Sequence, residues 1–188
     1  MGSLNEYIPE RLAFAKKSQL GWTKGLGPNT FWIFPWVEIG KECIIKSGAV
    51  LGEKGFSFGY DDDLTPFEIV HRGGVRIGDF VEIGACTTIA RATMEGVFTE
   101  IGDYVKIDDN VHIGHNCKIG ARTIIPASVT LGGGVLVGER CWIGLGSVLM
   151  EKVVIGDHAL IGAGALVNRD VPAGAVVAGN PARILRYR

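Results

Sequence analysis

The stretch Ile101-Gly102-Asp103-Tyr104-Val105-Lys106-Ile107-Asp108-Asp109-Asn110-Val111-His112-Ile113-Gly114-His115-Asn116-Cys117-Lys118-Ile119 decides the fold. A large aliphatic residue returns at every sixth position, and four residues after it sits a small or β-branched one: Val105, Val111, Cys117. Extended outward, the same step runs from Ile77 through Ile83, Ile89 and Glu95, and on through Ile125, Leu131, Val137, Ile143, Leu149, Ile155 and Ile161 to Val167. Fifteen of these sixteen positions are large aliphatics, and Glu95 is the exception. A helix repeats every 3.6 residues and an amphipathic strand every two, so neither accounts for six. A β-helix does, because each hexad forms one face of a coil and points one large residue at the axis. The pattern predicts an all-β solenoid of about five coils with three hexads per coil.

Composition narrows the function classes. At 188 residues, 28 of them glycine, the chain suits one domain with a substantial core. The glycine excess fits the tight corners of a coil. With a formal net charge of -1, nothing in the composition suggests a nucleic-acid surface. No run approaches the roughly 18 apolar residues of a membrane span, and no charged-then-apolar leader opens the sequence, so a cytoplasmic protein is expected. Cys43, Cys117 and Cys141 fall in the small inward slot and Cys86 one residue before it. No CxxC pair occurs, so buried thiols are expected, with neither a disulfide nor a metal site.

Two regions depart from the repeat. Residues 1–36 precede it, with a short helix expected over Pro9–Lys17, a turn at Leu26–Asn29, and an aromatic run from Phe31 to Trp36 capping the coil end. The β-helix domain is then 37–188. Hexads begin at Ile39, Ile45 and Leu51, but 26 residues separate Leu51 from Ile77, which breaks the phase. The intervening loop at 55–74 carries Phe56, Phe58, Tyr60, three consecutive aspartates and His71. A loop projecting from a rigid scaffold is a place to look for function.

The hexads, with the ending Ile161-Gly162-Ala163-Gly164-Ala165 and the tail Gly179-Asn180-Pro181-Ala182-Arg183, resemble the hexapeptide-repeat acyltransferases. That resemblance implies a left-handed parallel β-helix, an exception to right-handed crossovers. It also implies a homotrimer with an acyl donor held between neighbouring prisms. Two branches of the family compete. Gly55–Tyr60, Val81–Arg91 and Ile107–Asn116 resemble the lipid A pathway enzyme that N-acylates UDP-3-O-acyl-glucosamine, whereas the C-terminal half is similar to nucleotide-amino-sugar N-acetyltransferases. Lys152 stands where the lipid A enzyme has a second histidine. The Asn-Pro-Ala-Arg tail is common among CoA users, so acetyl-CoA or another acyl-CoA is the expected co-substrate, with a nucleotide-linked amino sugar as acceptor. The alternative is a long acyl chain on acyl carrier protein.

N-acylation needs a base for the amine proton and donors for the developing oxyanion. Histidine suits the first task. His115 matches the family's catalytic histidine, with Asn116 beside it and Asp108 as a group that reaches it from a neighbouring subunit. If every coil holds eighteen residues, Val97 and Gly133 stack below and above His115, and Arg91 stacks with Asp109. The acceptor is expected near Phe58, Tyr60, His71, Arg91 and Asp109. The resemblance places the pantetheine arm along Gly144, Gly146, Gly162 and Gly164, and the phosphates and adenine near Arg169, Asn180, Pro181 and Arg183. His112, three residues before His115, is expected to point elsewhere. A zinc anhydrase of this fold needs three converging histidines, a spacing that His112, His115 and His158 lack. A sugar O-acetyltransferase and a plain structural scaffold are the other readings, and a scaffold needs neither the His-Asn pair nor the basic tail.

Overall fold

The computed structural model describes residues 31–188, and every regular element among them is a β-strand. The chain winds through three parallel sheets in strict rotation. The first face holds Trp32–Ile33, Val50–Glu53, Thr88–Ala90, His112–Ile113, Thr130–Leu131, Val148–Leu149 and Leu166–Val167. The second holds Val37–Ile39, Gly74–Ile77, Phe98–Ile101, Lys118–Ile119, Leu136–Val137 and Val154–Ile155. The third runs from Ile44–Ile45 through Glu82–Ile83, Lys106–Ile107, Ile124–Ile125, Trp142–Ile143 and Leu160–Ile161 to Ala175–Ala178, where Arg183–Tyr187 closes it antiparallel. This is a left-handed parallel β-helix.

Most strands are two residues long, one pointing out and one in. The inward residue stacks on its counterpart in the next coil, as Ile107 does on Ile125 and Ile113 on Leu131. Those side chains are almost fully buried, each worth about 1.5–3 kcal/mol of transfer free energy. Corners carry non-glycine residues at positive φ, among them Asn110 at 57°, Asn116 at 60° and Ser128 at 61°. That conformation costs on the order of 1 kcal/mol. The corner N–H groups recover a hydrogen bond to the coil below, Asn110 to Ala85 O and Ser128 to Asp109 O. Cys43, Cys117 and Cys141 are buried as expected, and burial pushes the Cys117 thiol up to about 12. Cys86 is exposed.

The coil count and the coil length both differ from the even eighteen-residue reading. Trp32–Ile33 pairs with Val50–Glu53, so the aromatic run from Phe31 already belongs to the lowest coil. The helix at Pro9–Lys17 and the turn at Leu26–Asn29 lie outside the described residues. Ile77 pairs with Ile101 and Ile89 with Ile113, so this coil spans 24 residues. The extra six residues bulge outward between the first and second faces, and Glu95 sits in that bulge, exposed. Because six is also the repeat length, the metronome keeps time across the bulge while the faces shift by one.

The larger insertion leaves from the same corner. Between Val50–Glu53 and Gly74–Ile77 the chain makes a hairpin, Phe58–Tyr60 paired antiparallel with Pro66–Glu68. The two insertions are joined by backbone bonds from Arg72 N to Thr93 O and Gly73 N to Ala92 O, both 2.9 Å.

Candidate active site at the insertion corner

His115 lies on the corner from which both insertions spring. It follows His112–Ile113 on the first face and precedes Lys118–Ile119 on the second. Because the coil below holds 24 residues, the residue under His115 is Arg91, not Val97. The residue above is Gly133, as expected: Gly134 N donates to His115 O at 2.7 Å. The corner column thus reads Glu53, Arg91, His115, Gly133, Glu151, Arg169. Arg91 N donates to Glu53 O, and its guanidinium lies 4.0 Å over the Trp36 ring. Arg91 does not stack with Asp109, whose Oδ1 instead accepts from Ala85 N at 2.6 Å on another corner.

A pocket of about 320 Å³ opens at His115, lined by Gly55, Phe56, Gly132, Gly133, Met150 and Glu151 among others. Gly133 keeps it open: a Cβ there would lie 2.6 Å from Nε2 and Cε1 of His115. Of the three glycines, Gly132 donates its N–H to Leu149 O and Gly134 to His115 O. The Gly133 N–H makes no such bond, and Gly133 lines the pocket. Burial lowers the His115 pKa below the ordinary imidazole value, with Glu151 opposing, so the ring is neutral near pH 7.

His112 also lines this pocket, contrary to the expectation that it points elsewhere. A residue three before a corner histidine lies on the outward face of the adjoining strand, so a two-residue strand brings both to one hollow. Its Nδ1 sits 2.7 Å from Thr88 Oγ1, and burial lowers its pKa too.

Other sequence candidates divide. His71 is 1% exposed and lies against His115, ring centroids 5.1 Å apart at 68°, so it lies beneath the site and does not reach into a substrate space. Asn116 is turned to the smaller insertion, with Oδ1 accepting from Thr93 N at 2.8 Å and Nδ2 donating to Thr93 Oγ1 at 3.0 Å. Phe58 and Tyr60 stand exposed on the hairpin, and Phe58 packs on Phe56 at the pocket edge, 4.8 Å between centroids. Asp108 is exposed on the corner between third and first faces, apart from His115 of its own chain.

Gly144, Gly146, Gly162 and Gly164 lie on that same third-to-first corner, across the first face from His115. Their N–H groups donate to Ile161, Ala127, Val177 and Leu145 carbonyls, so coil stacking engages all four. A pantetheine arm there would bond other groups. Arg169 and Arg183 share a second hollow of about 290 Å³ with Asp170 near the C-terminal end of the helix, and Asn180 and Pro181 are exposed in the turn beside it. Among the described residues, no group of three or more potential ligands converges for a metal, and no helix is long and apolar enough to cross a membrane.

Comparison with known proteins bears on the coils themselves. The bacterial transferase hexapeptide (six repeats) family matches residues 98–133 and 134–169. A UDP-3-O-acylglucosamine N-acyltransferase of Methylococcus capsulatus is 52% identical over 56 residues, 30% of this chain and 16% of that protein. The same enzyme of Shewanella denitrificans is 50% identical over 58 residues, 31% of this chain and 17% of its own length. The chain therefore spans only a minor part of the curated relatives it matches. Among solved structures, UDP-N-acetylglucosamine O-acyltransferase of Moraxella catarrhalis superposes with a TM-score of 0.72 at 27% identity, covering 80% of this chain and 56% of that one. Residues 98–169, which carry His115 and the open glycine corner, are the part of the chain that matches the bacterial transferase hexapeptide family.

Proposed function

We propose that this protein is an acyltransferase that moves an acyl group from a thioester to the amino group of a nucleotide-linked sugar. One observation carries the reading: a half-buried histidine, its charged form disfavoured by burial, beside an unengaged Gly133 N–H, at the mouth of a pocket walled by glycines. In this mechanism the amine attacks the thioester carbonyl, and the new C–N bond forms as the carbonyl becomes an oxyanion. The Gly133 N–H donates to that oxygen. His115 takes the ammonium proton and hands it to the thiolate as the C–S bond breaks, which returns the ring to neutral. The similarity to the N-acyltransferases named above supports an amine acceptor bound to a nucleotide.

CoA is the donor in this reading, because Arg169 and Arg183 bring two guanidinium groups to one hollow, chemistry suited to a phosphorylated carrier. The assembly is a homotrimer. Outward apolar residues support it, with Ile124, Trp142 and Leu160 stacked along the third face and Leu136 and Val154 on the second. Asp108 then meets the neighbour's His115 across the interface. A second reading, acyl carrier protein as donor, follows the resemblance of Gly55–Tyr60, Val81–Arg91 and Ile107–Asn116 to the lipid A pathway enzyme.

The test is thiol release by the purified chain, with acetyl-CoA or a long-chain acyl carrier protein as donor and UDP-, dTDP- or GDP-linked amino sugars as acceptors. Turnover with acetyl-CoA and one sugar, abolished in His115→Ala, supports the proposal. Turnover only with acyl carrier protein replaces the donor, and no turnover with any pair overturns the enzymatic reading.

A further inference from the structure

His71 has no place in the transfer chemistry, yet the chain goes to some length to bury it. It is 1% exposed, and its Nδ1 accepts the Gly55 N–H at 2.8 Å. That bond leaves the ring proton on Nε2 and holds the imidazole in one neutral tautomer. Nε2 is buried without a partner, and so is Nδ1 of His115. Gly55 fits between the two rings because it has no side chain: a Cβ would lie 2.6 Å from His71 Cε1 and 3.2 Å from His115 Cδ2. Behind His71, the bonds from Arg72 and Gly73 to the smaller insertion fix the end of the hairpin. Asn116, the residue after His115, grips the same insertion through Thr93. The two insertions and the catalytic corner therefore form one closed framework around a pair of rings.

We propose that His71 is the positioning residue of His115, a neutral buried imidazole whose edge-to-face contact fixes the plane of the reacting ring and keeps water from its inner side. The inference rests on His115 being the base of the transfer. The charged and titratable groups around the pair are Arg91 from the coil below and the paired Lys54 and Glu68 beside the hairpin for His71, and Glu151 from two coils above for His115, with His112 on the strand that precedes it. Burial lowers the His71 pKa below the ordinary imidazole value, and the nearby His115 and Arg91 push the same way. A neutral neighbour lets His115 accept a proton during turnover without a second cation against it.

Ring titration by NMR of the full chain tests this without a substrate. In the wild type, 15N shifts are expected to place the His71 proton on Nε2 from about pH 5 to 8. His71→Ala admits water and raises the His115 midpoint toward the usual value of about 6.5. His71→Gln, whose amide oxygen accepts the Gly55 N–H, stays near wild type. A His71 ring that carries its proton on Nδ1, or a His115 midpoint indifferent to His71→Ala in a folded chain, overturns the proposal. The tautomer measurement needs no variant, so it decides even if His71→Ala does not fold. With donor and acceptor in hand, His71→Ala is expected to lower kcat by roughly 10²-fold with KM nearly unchanged, and His71→Gln to restore most of it. Loss of acyl transfer with every donor counts against the enzymatic reading alone, whereas an uncoupled titration counts against the positioning alone.

Discussion

Asn116 holds Thr93 by both ends of its amide, accepting from the Thr93 N–H at 2.8 Å and donating to its hydroxyl at 3.0 Å. Its own N–H donates to Thr99 Oγ1 at 2.9 Å. The residue next to the candidate base is thus a clamp on the six-residue insertion, at a corner whose φ of 60° suits asparagine.

Replacing Asn116 by glycine separates the clamp from the backbone conformation, since glycine adopts that φ freely. Two lost side-chain hydrogen bonds should lower stability by about 1–3 kcal/mol in denaturant melts. Amide exchange should accelerate at residues 91–97 and not in the upper coils. Unchanged exchange in that loop would show that the clamp has no mechanical role.

Gly133→Ala should separate catalysis from folding. The added Cβ would lie 2.6 Å from the His115 ring, so the ring must rotate out of place. Activity should fall by roughly 10²-fold or more. The inward residues of the coil are untouched, and the melting free energy should change by about 1 kcal/mol or less. Equal losses of activity and stability would mean that Gly133 serves the coil alone.

Acid should destabilise the fold through its histidines. Burial lowers the pKa of His71, His112 and His115 in the folded state. Below the unfolded value of about 6.5, the unfolded chain binds more protons than the folded one. Stability is therefore fully present above about pH 6.5 and falls as pH drops below it. Thermal midpoints across that range check the sign, and His71→Gln should flatten part of the slope.

The prism was legible because its constraint acts on single residues: an axis one side chain wide demands a large aliphatic at each inward point. The faces were less legible. An insertion of six keeps the hexad phase, so Glu95 was the sole mark of it, and reading through Glu95 put Val97 under His115 and Arg91 beside Asp109. His71 carried no periodic signal at all, since its burial depends on a hairpin and a bulge that meet only in space. Sequence distance sets His112 apart from His115, whereas a two-residue strand brings both to one hollow.

Assembly should depend on the outward apolar column of the third face. Trp142 is 44% exposed between Ile124 and Leu160. Trp142→Glu adds a charge to that column without touching an inward residue, and should turn the proposed trimer into a monomer by light scattering. A variant of unchanged mass would place the interface on another face.

The smaller insertion can be removed in register. Deleting Ala92, Thr93, Met94, Glu95, Val97 and Phe98 leaves Ile89-Ala90-Arg91-Gly96-Thr99-Glu100-Ile101, one ordinary hexad step. Gly96 already has a φ of 75° and takes the left-handed corner. Thr99, buried now, fills the inward slot that Cys117 fills one coil higher. The shortened coil should fold, with the β-sheet circular dichroism of the parent and a cooperative melt. It should also lose the Asn116 clamp and the tie behind His71, so activity should collapse while the solenoid persists. A deletion that abolishes folding would mean that the bulge belongs to the core of the prism, and that the 24-residue coil is a structural unit in its own right.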